Sequence, residues 1–413
     1  MKLCIAGATV LLVVTTVVPR LHAQDAASEL VAPDAVTSQL ATDEKDKPDL
    51  LGIDAQAGFD EWKAGVKERT GLDFGIDYNS LGFAAIDSPG KSTAAGGVFR
   101  VFGSWELYNR GETNTGSIVF KVENRHAYSD VAPSAFGGEL GYAGLTSSVF
   151  SDQGWRTTHL FWQQRFANGR GISYLGFLDT TDYVDVYPLA SPWSGFANIA
   201  FQNGSGAIGG IPDGALGAMV GGFLTDHLYL VGSIADANGD PTDLSEGFDT
   251  SFNDSETFKS LEFGWASKRE EVFLNNAHVT FWQIDDRNDA GTPDGWGVSF
   301  SFAASNDDGW MPFLRGGWAH EGGSLYETSI TTGFGYTPRP GQSLLGLGVN
   351  WNRPNASTYG ASLDDQYSLE LFQQLQLTEG IEITPNVQVI RNPALEPSDD
   401  WSVFFGLRLR AAL

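Results

Sequence analysis

Val98-Phe99-Arg100-Val101-Phe102-Gly103-Ser104-Trp105-Glu106-Leu107 is the stretch that decides how this chain folds. Successive side chains of an extended backbone point to opposite faces. Phe99, Val101, Gly103, Trp105 and Leu107 therefore share one face, while Arg100, Ser104 and Glu106 share the other. One face suits hydrocarbon and the other water. The pattern recurs in residues 117–125, where Ile118, Val119, Phe120 and Val122 crowd the apolar side against Lys121, Glu123 and Arg125, with Val119 breaking the alternation. Near the C-terminus Ile381, Ile383, Pro385, Val387 and Val389 interleave with Glu382, Thr384, Asn386 and Gln388. Trp401, Val403, Phe405, Leu407 and Leu409 interleave with Arg408 and Arg410 in the same way.

Counted along the chain, about sixteen such segments start near Leu72, Val98, Ser117, Arg156, Gly171, Leu216, His227, Phe258, Asn275, Gly295, Met311, Thr328, Ser343, Gln366, Ile381 and Trp401. Their connections are alternately short and long. Brief ones cover 109–115, 168–170, 225–226 and 378–380, and long ones cover 128–155, 181–215 and 236–257. If the first strand runs outward, this sorting matches short periplasmic turns and long extracellular loops. The expected fold is all-β: a transmembrane antiparallel barrel of about sixteen strands with a short N-terminal helix. A soluble sandwich has no reason to sort its loops this way.

Composition agrees. The chain has 413 residues with 50 Gly, 12 Trp, 12 Tyr and 27 Phe, 42% hydrophobic and 18% charged, so it has the apolar surface of a folded protein. Beyond the leader no run of 18 apolar residues occurs, which leaves spanning to strands, and a closed barrel satisfies every backbone group in hydrocarbon. The aromatics fit girdles at the two membrane interfaces. The balance of 25 basic against 51 acidic residues, a formal net of -26, argues against a nucleic-acid partner. Much of the excess falls in two predicted outer loops, from Asp236 to Glu256 and from Asp285 to Asp294. The order Asp236, Asn238, Asp240 imitates the start of an EF-hand loop, but Pro241 stands where glycine is needed and Gly247 where glutamate is needed, so no metal site is expected.

Residues 1–23 read as a signal peptide: Lys2, an apolar stretch from Leu3 to Val18, then Pro19 and a cut after Ala23. Removal takes away Cys4, the single cysteine, and with it disulfides and thiol catalysis. Residues 24–70 read as an acidic periplasmic extension without a core, followed from Asp54 to Thr70 by a short amphipathic helix with Phe59, Trp62 and Val66 at helical spacing. The helix either packs near the periplasmic rim or occludes the lumen. Residues 71–413 read as the barrel.

Particular stretches also resemble a known family. Phe99-Arg100-Val101-Phe102-Gly103-Ser104-Trp105, the run from Asp365-Gln366-Tyr367 to Leu377-Thr378, then Ile383-Thr384-Pro385-Asn386-Val387-Gln388-Val389-Ile390 and Asn392-Pro393-Ala394, resemble the carbohydrate-selective porin family of the OprB type. The likeness runs from about Gly71 to the C-terminus. It implies a sixteen-stranded porin for sugars such as glucose. The chain departs from the pattern at its end, Arg410-Ala411-Ala412-Leu413, where such barrels usually carry an aromatic.

A sugar pore must exchange water's hydrogen bonds for protein ones without holding its solute, and arginine forks opposed by carboxylates supply such contacts. The inward candidates are Arg100, Glu106, Lys121, Glu123, Arg125, Arg165, Glu262, Arg315, Arg408 and Arg410, with Arg100, Glu123 and Arg125 favoured because they lie on early neighbouring strands. The loop over 181–215 is the natural constriction, because Tyr183, Tyr187, Trp193, Phe196 and Phe201 stand where a solvated tip would be polar. Tyr187 and Trp193 either stack on a pyranose or pack the loop onto the wall. His126, His159, His227, His278 and His320 are scattered without metal-ligand spacing and read as lumen or rim residues. No catalytic residue and no cofactor is expected. The function expected is passive, weakly selective passage of small neutral sugars across the outer membrane of a Gram-negative bacterium, among lipid and lipopolysaccharide, as a homotrimer or a monomer. A general non-selective porin, a barrel hydrolase and a structural barrel are the competing classes.

Overall fold

The computed structural model describes residues 30–44, 50–52, 56–269, 272–338 and 343–413, so the expected leader lies outside the described residues. The alternating segments form β1 (Leu72–Ala85), β2 (Thr93–Tyr108), β3 (Gly116–Ala127), β4 (Gly154–Phe166), β5 (Gly171–Asp179), β6 (Asp213–Phe223), β7 (Leu228–Asp236) and β8 (Thr257–Ala266). The second half holds β9 (Asn275–Ile284), β10 (Gly295–Ala304), β11 (Trp310–Glu321), β12 (Tyr326–Tyr336), β13 (Leu345–Pro354), β14, β15 (Ile381–Arg391) and β16 (Trp401–Ala412). β14 comprises two runs, Gln366–Gln373 and Leu375–Thr378. Both pair with β15 in one register, Tyr367 opposite Arg391 and Leu375 opposite Ile383, so they are one strand interrupted at Gln374.

Each strand pairs antiparallel with the next, and β1 pairs with β16 from Asp77 opposite Ala412 to Ala85 opposite Phe404. The sheet is thereby a closed sixteen-stranded barrel. No open edge remains to expose unpaired backbone groups to lipid. Among the described residues no helix is long and apolar enough to cross a membrane.

The period of two sorts the side chains. Leu175, Val220, Leu261, Phe281, Phe300, Leu314, Phe405 and Leu407 stand exposed on the outer wall. Trp105, Phe166, Trp265 and Trp310 mark the ends of their strands on the side of the short connections, and Trp155, Trp296, Tyr367 and Trp401 the opposite ends. Two aromatic girdles result, as the composition implied.

The helix expected over 54–70 forms as α2 (Ala57–Thr70) and stops at Gly71, whose φ of 78° is the left-handed cap that glycine adopts without strain. It takes the rim position. Trp62 meets Phe74 of β1 edge to face, Lys63 donates to the Leu413 carbonyl at 3.1 Å, and Gln56 donates to the Ala412 carbonyl at 2.6 Å.

The segment before it differs from expectation. The sequence predicts no core ahead of Leu50, yet Leu30, Val31, Ala35, Val36 and Leu40 are buried in one apolar cluster with the inward residues Phe102, Val119, Phe161, Ile172, Tyr174, Met219, Tyr229 and Val231. Residues 30–44, including α1 (Val36–Asp43), therefore lie inside the barrel. This also explains Val119. It breaks the alternation because it faces inward to meet a second apolar surface.

Burial, reinforced by Asp182 and Asp179 against the opposing pull of Lys121, pushes the Asp34 carboxyl up to about 7. A carboxyl raised above its ordinary value favours the protonated form, so this contribution to docking is full below about pH 4 and fades as pH rises through about 7. Protection factors for hydrogen exchange in residues 30–44, which remove the base-catalysed rise in intrinsic rate, are expected to fall between pH 5 and pH 8 in the wild-type chain, and Asp34→Asn is expected to flatten that fall.

Candidate functional site

The inner wall carries the chemistry. On β1, β2 and β3 the register sets Asp77 opposite Arg100 and Arg100 opposite Glu123, so charges of both signs meet across adjacent strands. Arg100 Nε donates to Asp77 Oδ1 at 2.8 Å and a second guanidinium nitrogen pairs with Oδ2. Arg410, carried by the last strand, donates to the same carboxylate at 2.9 Å. Closure of the ring makes this triad possible.

A second group spans β3 to β6. Arg125 Nε donates to Glu123 Oε2 at 2.8 Å, Lys121 stands 3.8 Å from Asp179, and Arg156 pairs with Asp213 at 2.5 Å. A third lies across the lumen, where Glu262 accepts from Tyr229 at 3.0 Å and from Thr280 at 2.8 Å.

The loop between β5 and β6, residues 180–212, is folded into the barrel, and wall charges hold it. Asp185 adopts a left-handed conformation with φ of 51° that a short polar side chain tolerates, and this turns both its backbone and its carboxylate toward the wall. Its N–H donates to Glu262 at 2.9 Å, its carboxylate meets His278 at 2.9 Å and pairs with Arg315, and its carbonyl accepts from Arg315 at 2.8 Å. Burial alone would raise the Asp185 carboxyl, but Arg315 and His278 outweigh it and hold it below the ordinary carboxylate value. Farther along, Arg408 donates to the carbonyls of Pro192 at 2.8 Å and Gly195 at 3.1 Å. Glu370 accepts from the N–H groups of Ala197 at 2.9 Å and Asn198 at 3.0 Å. His159 meets Asp182 at 2.7 Å.

Aromatic faces complete the attachment. The Arg100 guanidinium lies 3.9 Å above the Trp193 ring, and that of Arg315 lies 3.9 Å above Tyr187. Desolvated cation–π contacts of this kind contribute about 2 kcal/mol each. These arginines therefore cover the faces that the sequence offered to a pyranose, and both rings are buried. Glycines on β11 and β13 admit the loop: a Cβ at Gly348 would stand 2.7 Å from the Phe201 ring, and one at Gly317 would stand 2.9 Å from Ala207.

The candidates thus separate by height. Arg100, Lys121, Glu123, Arg125, Glu262, Arg315 and Arg408 all face inward and are at most 4% exposed, so other parts of the chain pack over each of them. Arg410 faces inward with them. Glu106 and Arg165 sit half-buried near the C-terminal ends of β2 and β4, outside these clusters. Sequence reasoning missed Asp77, Asp179, Asp182, Asp185 and Glu370. Asp77 and Glu370 lie in alternating strands and are legible as inward acids, Asp179 ends β5, and the loop acids Asp182 and Asp185 carry no such signal.

A second loop adds to the packing. Residues 128–153 read in the sequence only as an outer connection, yet Phe136, Leu140, Tyr142 and Phe150 are buried. Tyr142 reaches Asn198 at 3.2 Å and Tyr326 at 2.6 Å, and Gln366 donates to the Ala143 carbonyl at 2.7 Å. The loop thus packs against the 180–212 loop and against the wall at β12 and β14.

Comparison with known proteins places this architecture. The model of the family described as carbohydrate-selective porin, OprB family, matches residues 275–413. No curated protein matches the chain in sequence. The high-pH structure of Pseudomonas putida OprB is similar with a TM-score of 0.69 at 15% identity, over 88% of this chain and 99% of that one. The low-pH structure of the same protein gives 0.51 at 11% identity, over 89% and 100%. At such identities the likeness concerns the fold. The chain is a sixteen-stranded porin-type barrel whose C-terminal third, from β9 onward, matches the carbohydrate-selective porin, OprB family.

Proposed function

We propose that the chain is a passive outer-membrane channel of a Gram-negative bacterium that passes small neutral sugars of glucose size, set among lipid and lipopolysaccharide. The observation that carries this reading is the pairing of charges at the constriction. Arg100 and Arg410 meet Asp77, Arg125 meets Glu123, and Arg315 meets Asp185, so fixed charge of one sign does not accumulate there. A wall without a strong net field gives ions of neither sign an advantage, while its amides, hydroxyls and carbonyls suit a polyol. The family match supports the same substrate class.

A general porin is less well supported, because a cross-section filled by two loops restricts passage. A barrel hydrolase is also disfavoured, since His159 and His278 are buried and bonded to Asp182 and Asp185, where they hold the loop.

Reconstituted into liposomes, the protein should admit glucose faster than a zwitterion of similar size; equal swelling rates for the two would leave a general porin. Arg100→Ala and Arg125→Ala should alter sugar block of single-channel current, and unchanged block would remove those residues from the path. Asp185→Ala strands Arg315 and His278, a loss on the order of 3–5 kcal/mol for a broken buried pair. Its single-channel conductance should exceed that of the wild type, because the constriction loop loses its central clamp.

A further inference from the structure

Residues 30–44 face two different surroundings. On α1 the residues Val36, Gln39 and Leu40, spaced three and four apart, are buried against the wall. Ser38 and Ala41 are half-exposed and Thr42 is exposed, at the same spacing on the opposite face. This second face is small and uncharged, with a hydroxyl at Ser38 and another at Thr42, one helical turn apart. An unattached tether would have no cause to segregate its side chains in this way.

Three ties fix the segment. Ala32 N–H donates to the Asp182 carbonyl at 2.6 Å, at the root of the constriction loop. The Asp43 carboxylate accepts two hydrogen bonds from the Arg410 guanidinium, at 3.0 Å and 2.8 Å. Glu44 pairs with Lys67 of α2, which also reaches Asp73 of β1 at 2.8 Å. Arg410 belongs to the triad of Asp77 and Arg100, and Arg100 lies on Trp193. One continuous set of contacts thus joins the N-terminal segment to the loop that narrows the barrel.

We propose that residues 30–44 form part of the pore wall: their apolar face fills the lumen against β2 to β7, and the face of Ser38, Ala41 and Thr42 lines the solute path below the constriction and helps to select what passes. The inference rests on the reading of the chain as a sugar porin. Thr42 Oγ1 donates to the Ser38 carbonyl at 2.9 Å, which leaves its oxygen to accept from a solute. Hydroxyl groups carry no charge, so such a face can hand a neutral polyol along without trapping it, and Ala41 keeps the path between them open.

A cysteine scan tests this. In the full chain carrying Cys4→Ser, so that no native thiol is present, Thr42→Cys is reconstituted in planar bilayers and treated from the periplasmic side with a bulky cationic methanethiosulfonate. Small-ion conductance is expected to fall severalfold and to recover on reduction. Unchanged conductance after modification verified by mass spectrometry would overturn the proposal. Ser38→Cys serves in the same way if Thr42→Cys does not insert. Sugar block of current, measured on the same channels, separates the two readings: a thiol effect without sugar block leaves the wall assignment standing and removes the sugar, whereas sugar block without a thiol effect removes the wall assignment alone.

Discussion

Hydrocarbon offers no partner to a peptide group, so every N–H and C=O of the spanning chain must bond within the protein. Pairing of β1 with β16 meets that requirement for the two strands that would otherwise be edges. Much of the rest follows from it. A closed sheet divides space into an outside and an inside, the period of two assigns each residue to one of them, and the outer positions become apolar because lipid is their solvent. Closure also brings the chain's two ends together. Asp77 near the start and Arg410 near the end become neighbours, and their pairing is where the N-terminal segment is tied down.

A ring of sixteen strands encloses more space than its own inward side chains fill. This protein fills it with chain: the loop over 180–212, the loop over 128–153 and the segment over 30–44. Folded-in backbone carries polar groups that need partners, and the wall supplies them as arginines donating to carbonyls and carboxylates accepting from amides. The inward charges thus do two things at once. They neutralise one another, and they hold the elements that narrow the lumen.

Strand positions were legible to within a few residues because lipid and water impose opposite demands on alternate positions, as in β2, β15 and β16. The loop that enters the barrel was legible from Tyr187, Trp193, Phe196 and Phe201, since aromatics at a solvated tip would have no reason to be there. Residues 30–44 were not. Their acidic neighbours gave the stretch a solvated composition, and Leu30, Val31, Val36 and Leu40 are too few to mark a core without the wall they pack on.

By itself, then, the sequence determined the barrel, the number of its strands, the sorting of its connections and the direction in which Arg100, Glu123, Arg125 and Arg315 point, all of which depend on local alternation. Only the tertiary structure decided what those residues touch. Arg315 meets Tyr187 and Asp185, and Arg408 meets Pro192 and Gly195, across long separations in the chain. Such pairings depend on where a closed ring places its walls and on how an inserted loop turns, and a local pattern of polar and apolar residues carries neither.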